Sequence, residues 1–219
     1  MALINVDGCL RPMLNSVNMK IASSDSALTA FWRFFKDSKA VDDVGRPLVV
    51  YHGTTGDFSE FDGDREPWHL ARDKGKFFFY GKPGPASEYA EGMGEAYTDG
   101  GSNVMPVYIA LENPYVIDVE GEPSADWDMA GGRFEREAPA GIDGYIVRGV
   151  GFDDEPLIMY VALDPCQIKS AIGNPGTFLQ RSQCISDGHR PDLGFDLLSE
   201  RNPDSLSDGE VKSRRKLRL

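Results

Sequence analysis

The tetrapeptide Tyr51-His52-Gly53-Thr54 places the first of three histidines, followed at once by glycine and threonine, behind the β-branched run Leu48-Val49-Val50. The run is entered from Gly45-Arg46-Pro47 and reads as a short buried strand opened by a turn. A strand holds an imidazole rigidly, the glycine lets a ligand or another backbone come close, and the threonine hydroxyl can donate or accept. The pattern is that of a binding-site edge; the alternative, a hydrogen-bonded core histidine, stays open on the tetrapeptide alone. Aromatic side chains follow at Phe77, Phe78, Phe79 and Tyr89, and acids cluster at Asp153, Asp154 and Glu155, just ahead of Pro156. Aromatic faces can hold a flat ring, and a carboxylate can offset a developing positive charge. Each has a plainer counterpart. Three phenylalanines in a strand pack a core, with Phe78 pointing away from whatever Phe77 faces, and an acidic loop ending in proline is solvated surface.

The elements that must position these groups are short. A helix is expected over 27–35, capped by Ser24 or Ser26, with Phe31, Phe34 and Phe35 on one face to cover a sheet. After the His52 strand comes a loop over 56–74, rich in Asp and Gly, that holds Trp68 and His69. Strands are expected over 76–80, 105–111, 115–119, 145–150 and 157–163, with a helix over 86–91 entered through the turn Gly81-Lys82-Pro83-Gly84-Pro85. An acidic, Gly-rich excursion occupies 120–141. Many short strands and brief helices indicate an α+β fold dominated by a mixed or antiparallel sheet. The expected organisation is an irregular N-terminal extension over 1–26, a domain over 27–181, and a polar, flexible tail over 182–219 with a basic end.

With 219 residues, 41% of them hydrophobic, the chain can bury one sizeable core. The net charge of −12 argues against nonspecific nucleic-acid binding. Lys212, Arg214, Arg215, Lys216 and Arg218 crowd the last eight residues, where they could meet an anionic partner or stay solvated. No window approaches the ~20 apolar residues of a spanning helix. No basic segment followed by an apolar one opens the chain, so the expected location is the cytoplasm, or a target cell into which the protein is delivered. Cys9, Cys166 and Cys184 are odd in number and far apart, forming neither a disulfide framework nor a zinc site. His69 and His189 lack ligand spacing, so no metal is expected. Gly92-Met93-Gly94 lacks the third glycine and the preceding strand of a dinucleotide fingerprint, and there is no phosphate loop.

The stretch Phe31-Trp32-Arg33-Phe34-Phe35-Lys36-Asp37-Ser38-Lys39, with Val41-Asp42, Gly45 and Pro47 through Thr54, resembles the opening of ADP-ribosyltransferase domains in bacterial and phage polyvalent proteins, relatives of the diphtheria-toxin and poly(ADP-ribose) polymerase branch. Three further pieces follow in the family's order. Gly75 through Phe79 with Ser87-Glu88-Tyr89-Ala90 is similar to its second motif. Val107-Tyr108-Ile109, Asn113-Pro114 and Val116-Ile117-Asp118 are similar to its central strand pair. Tyr160 through Pro165 with Gln167 through Ala171 is similar to its closing strand. The resemblance spans about residues 31–178. It implies a split, mixed sheet that clamps NAD+ and transfers ADP-ribose to an acceptor.

The resemblance also implies roles. His52 bonds the adenosine ribose, the backbone of Gly53 grips the carboxamide, and Tyr89 stacks on the nicotinamide, while Phe77 stands where the polymerase branch has its motif tyrosine. Tyr51, Thr54 and Phe78 complete the cofactor-binding set. The polymerase branch carries a glutamate just before the aromatic residue of the last strand; here Met159 precedes Tyr160, and a thioether cannot offset an oxocarbenium charge. Either the carboxylate comes from the acceptor or from Glu155, Asp154 or Asp153, or the protein binds NAD+ with little chemistry. Gln167 could orient an acceptor or stabilise a turn. The activity expected is mono-ADP-ribosyl transfer to an unidentified protein, nucleic acid or small molecule by a toxin, effector or phage enzyme. The competing class is a weak or inactive NAD+ or ADP-ribose binding module, such as a phage structural or anti-defence component.

Overall fold

The computed structural model describes residues 2–56, 58–64, 73–96, 101–119, 132–152 and 155–186, the side chains at 93–96, 151, 152 and 155 excepted. Trp68, His69, Asp153, Asp154, His189, most of the acidic excursion and the basic end lie outside them.

The chain opens with a hairpin, β1 (Leu3–Val6) and β2 (Cys9–Pro12), in place of the irregular extension its polarity suggests. Its two-residue turn is Asp7-Gly8, both at positive φ, the conformation that matches strand twist and that Asp-Gly favours. Arg33 donates to both Asp7 carboxylate oxygens at 3.1 and 3.0 Å, tying the turn to the first helix. That helix, α1 (Asp25–Phe35), begins where the Ser24 hydroxyl accepts the Ala27 N–H at 3.2 Å. Phe31, Phe34 and Phe35 are buried as their spacing requires, and the Trp32 indole N–H donates to the Pro12 carbonyl at 3.0 Å. Each such side chain contributes roughly 1.5–3 kcal/mol of burial.

The remaining strands are β3 (Val50–Thr54), β4 (Phe77–Tyr80), β5 (Asn103–Ile109), β6 (Pro114–Asp118), β7 (Gly144–Phe152), β8 (Glu155–Ala162) and β9 (Ile168–Ser170). They form one seven-stranded sheet in the order β6-β7-β8-β4-β3-β5-β9. Only β6 and β7 run parallel, so the sheet is mixed and the fold α+β. Gly149, at positive φ, sits at the β7 register shift, where a bulge needs a left-handed residue. The strand expected over 48–50 begins instead at Val50 and runs through His52, because the Leu48 N–H bonds Ala40 and the Val49 N–H bonds Ser16. The second helix, α2 (Pro83–Ala96), extends beyond 86–91 at both ends and absorbs Gly92 and Gly94. A short α3 (Arg133–Glu137) lies within the acidic excursion.

Two apolar clusters pack this sheet. The larger joins α1, Phe61, Phe77, Phe79, Tyr108, Tyr160 and Ile168; the smaller joins Ile117, Phe134, Tyr145, Val147, Met159 and Val161, with Phe78 packed against it. Phe78 thus points away from Phe77 and Phe79, as strand alternation requires.

Residues 182–186, which polarity assigns to the tail, run against the sheet. Ile185 is buried, the Ser170 N–H donates to the Ile185 carbonyl at 2.9 Å, and the fully buried Lys169 donates to the carbonyls of Ser182 at 2.6 Å and Cys184 at 3.1 Å. Gln167 closes the turn before β9. Its carbonyl accepts the Leu163 and Asp164 N–H groups, and its amide donates to the Ala110 and Asp143 carbonyls. Its side chain is spent on the turn.

Candidate functional site

The sheet opens between β3 and β4. Beside β5, β3 keeps a continuous ladder from Val50↔Val107 to Thr54↔Asn103, but beside β4 it keeps the single pair Tyr51↔Tyr80. From His52 onward the two strands diverge, and the β4-facing edge of β3 has no ladder there.

His52 bridges this divergence. Its Nδ1 lies 2.9 Å from the Phe78 carbonyl, which can only accept, so Nδ1 carries the proton and Nε2 presents a lone pair. Desolvation by burial lowers the His52 pKa, outweighing the opposing bond to Phe78. The imidazole is therefore neutral near pH 7. Phe61, Phe79 and Phe58 surround it with ring centroids at 5.0, 5.6 and 6.2 Å. Phe58 and Phe61 come from the Asp- and Gly-rich loop expected over 56–74, and their spacing of three residues is the sequence signal for them.

Gly53 has a packing reason. A Cβ there would meet the Ala86 carbonyl oxygen at 2.0 Å, because α2 lies directly on β3. Ala86 and Ala90 are buried on that face, and Tyr89, one turn beyond Ala86, is 40% exposed. The glycine thus sets how closely the helix carrying Tyr89 approaches the opening.

The other expected residues are placed as follows. Thr54 uses its hydroxyl to accept the Gly56 N–H at 3.1 Å, ending the strand. Tyr51 is half-buried against the larger cluster. Phe77 is buried, with Phe61 edge-on at 5.3 Å, so it joins His52 through Phe61. Phe78 contributes its carbonyl to the opening and its ring to the smaller cluster. Met159 is buried in that smaller cluster, paired with Tyr80 on one side and Val147 on the other. Glu155 opens β8, five residues before Tyr160, the register partner of Phe79. At roughly 3.4 Å per residue, its backbone stands about 17 Å along the strand from the level of His52, on the side of the Tyr51↔Tyr80 pair and beyond it.

The grooves elsewhere differ in character. One of about 410 Å³ is lined by Lys36, Glu112, Asp143 and Cys166 among others, and burial pushes the Cys166 thiol up, away from the thiolate. Among the described residues no group of three or more His, Cys, Asp or Glu is placed to hold a metal, and no helix is long and apolar enough to cross a membrane.

A mixed sheet that parts beside a strand-borne histidine, with a helix laid on the next glycine, defines an ADP-ribosyltransferase fold. Residues 42–178 match the family of ADP-ribosyltransferases in polyvalent proteins, and the chain belongs to that family. Such domains use NAD+ as substrate. No curated protein and no solved structure matches the chain.

Proposed function

We propose that the protein is a mono-ADP-ribosyltransferase that holds NAD+ along the β3–β4 opening. The observation that carries this reading is His52, fixed as a neutral acceptor where the sheet parts. In this account Nε2 accepts a hydrogen bond from the adenosine ribose, the Gly53 backbone takes the carboxamide, and Tyr89 stacks on the nicotinamide from α2. The bond from ribose C1′ to the nicotinamide nitrogen breaks, its electron pair leaving with neutral nicotinamide. A bond from C1′ to an acceptor oxygen or nitrogen forms, and the acceptor's proton passes to solvent. A fixed site contributes by holding the ring, the sugar and the leaving group in one geometry.

The acceptor class is a protein or nucleic acid of a target cell, in keeping with an effector or phage enzyme acting in a cytoplasm. A second reading, an NAD+ or ADP-ribose binding module, is favoured by one observation: Met159, at the position where the polymerase branch has its carboxylate, is buried among apolar side chains. Incubation with adenylate-labelled NAD+ and host lysate separates the two. Label on macromolecules supports the transferase; NAD+ binding by calorimetry without label or released nicotinamide supports the module. A protein that binds neither NAD+ nor ADP-ribose fits neither.

A further inference from the structure

Beside the smaller cluster, next to its Phe134, lies an acid that packing does not explain. Glu135, the third residue of α3, has its Oε1 buried with no hydrogen-bond partner, although the side chain retains 26% exposure. Native structures rarely leave a buried carboxylate oxygen unsatisfied, and each exception calls for a reason such as a catalytic role or a bound water or ion. Lys76 Nζ stands 3.6 Å from that oxygen, close enough to attract it and too far to hydrogen-bond it. Tyr145 feels it too: burial first, then the Glu135 charge, raises the phenol.

The position matters as much as the missing bond. The single pair Tyr51↔Tyr80 fixes the direction in which β3 and β4 diverge, laying His52, Gly53 and Thr54 successively alongside Phe79, Phe78 and Phe77. Lys76 immediately precedes Phe77, so the Lys76–Glu135 pair stands at the open end. Lys76 falls on the same side of the pleat as Phe78, whose ring joins the cluster containing Phe134, and opposite Phe79, against which the His52 ring packs; by register this is the face of Gly53, on which α2 lies. Met159 and Glu155, by contrast, lie level with or beyond Tyr80, at the closed end.

We propose that Glu135 of α3, steered by Lys76, is the carboxylate that faces the ribosyl cation at the open end of the β3–β4 divergence. The proposal rests on NAD+ occupying that opening. As the C1′–nicotinamide bond breaks, positive charge builds on the sugar; the Glu135 carboxylate stabilises that charge without forming a bond, and the partnerless Oε1 gains a ribose hydroxyl as donor. Lys76, 3.6 Å away, draws the carboxylate inward.

The test compares wild type, Glu135→Gln and, as a control on the same helix, Glu137→Gln, whose partner Arg133 lies 2.9 Å away on the surface. Calorimetry measures two probes: ADP-ribose, and an ADP-linked pyrrolidine that is protonated where the ribosyl cation carries its charge. Wild type should prefer the cationic probe. Glu135→Gln should lose that preference at least tenfold while keeping ADP-ribose affinity within about twofold, and NAD+ turnover should fall about a hundredfold. Glu137→Gln should match wild type throughout. Preference for the cation unchanged in a Glu135→Gln protein of normal unfolding temperature overturns the role of Glu135 and leaves the cleft intact. Should Glu135→Gln prove unstable, Lys76→Met provides the second arm, and an undiminished cation preference there has the same meaning. Wild type that binds neither probe removes the NAD+ cleft itself, and the role of Glu135 with it.

Discussion

His52 Nδ1 and the Phe78 carbonyl meet at 2.9 Å across two strands that share only one register pair. The imidazole thus does the joining that the ladder does elsewhere, and its remaining nitrogen is fixed at the point of divergence. Replacing it by alanine strands a carbonyl and removes an acceptor.

The first prediction is a pH dependence. The His52 pKa is lowered in the fold, so below about 6.5 the unfolded chain takes up the proton more readily than the native one. The stability this residue contributes is complete above that value and is lost as pH falls through the lower native pKa. Asp7 and Asp37, lowered first by hydrogen bonds to Arg33 and Arg11, act in a separate window below their ordinary 3.8. Urea unfolding at pH 7.5 and 5.5 should show a loss for wild type that shrinks in His52→Gln. Equal losses in both proteins would mean that the His52 pKa is the same in the native and the unfolded chain.

Gly53→Ala forces a Cβ to within 2.0 Å of the Ala86 carbonyl oxygen. The obstacle is backbone, so α2 must shift, and the helix carrying Tyr89 moves with it. A loss of about 1–3 kcal/mol or more is expected in unfolding, with NAD+ affinity reduced as well. Gly84→Ala and Gly92→Ala, which meet open space, should leave affinity in place. Normal stability in Gly53→Ala would show that α2 does not lie on β3.

Met159→Glu places a carboxylate in an apolar cluster with Tyr145, Val147 and Phe134. The desolvated charge should destabilise the fold by roughly 3–5 kcal/mol, and NAD+ hydrolysis should not rise. A folded Met159→Glu protein with faster turnover would move the cation-facing position to residue 159.

Stopping the chain after Arg181 deletes Ile185 from the core and strips Lys169 of two carbonyl acceptors. Removing a buried isoleucine costs about 2–5 kcal/mol, and the ammonium left behind adds to it. Circular dichroism melts should show a much lower midpoint, whereas stopping after His189 should leave it near that of the full chain. Identical melts for the two truncations would mean that 182–186 contribute nothing.

What the sequence made legible was whatever repeats locally. The Phe31, Phe34, Phe35 face and the Ser24 cap follow from helical spacing, and the alternation of Phe77, Phe78 and Phe79 follows from the pleat. The strand-borne histidine and the mixed sheet followed from motif order. Strand ends were less visible, since Leu48 and Val49 spend their N–H groups on Ala40 and Ser16, partners no local pattern reveals. Polarity misled twice: the Asp-Gly turn of the first hairpin is a local signal set in a polar stretch, and the seat of Ile185 depends on contacts with residues far away in the chain. The Lys76–Glu135 approach was invisible for the same reason, because it joins residues 59 positions apart from segments that carry no shared pattern.

The strand order also dictates when the site can exist during synthesis. The centre of the sheet is the pair β4·β8, whose partners Phe79 and Tyr160 are separated by most of the domain's length. Closing so long a loop precedes any reward from the contacts it makes, which slows folding. A chain still emerging from the ribosome has β3, its histidine and the single pair Tyr51↔Tyr80 early, but β4 gains its four-residue ladder only when β8 arrives. The second wall of the cleft therefore waits for the carboxyl-proximal half of the domain.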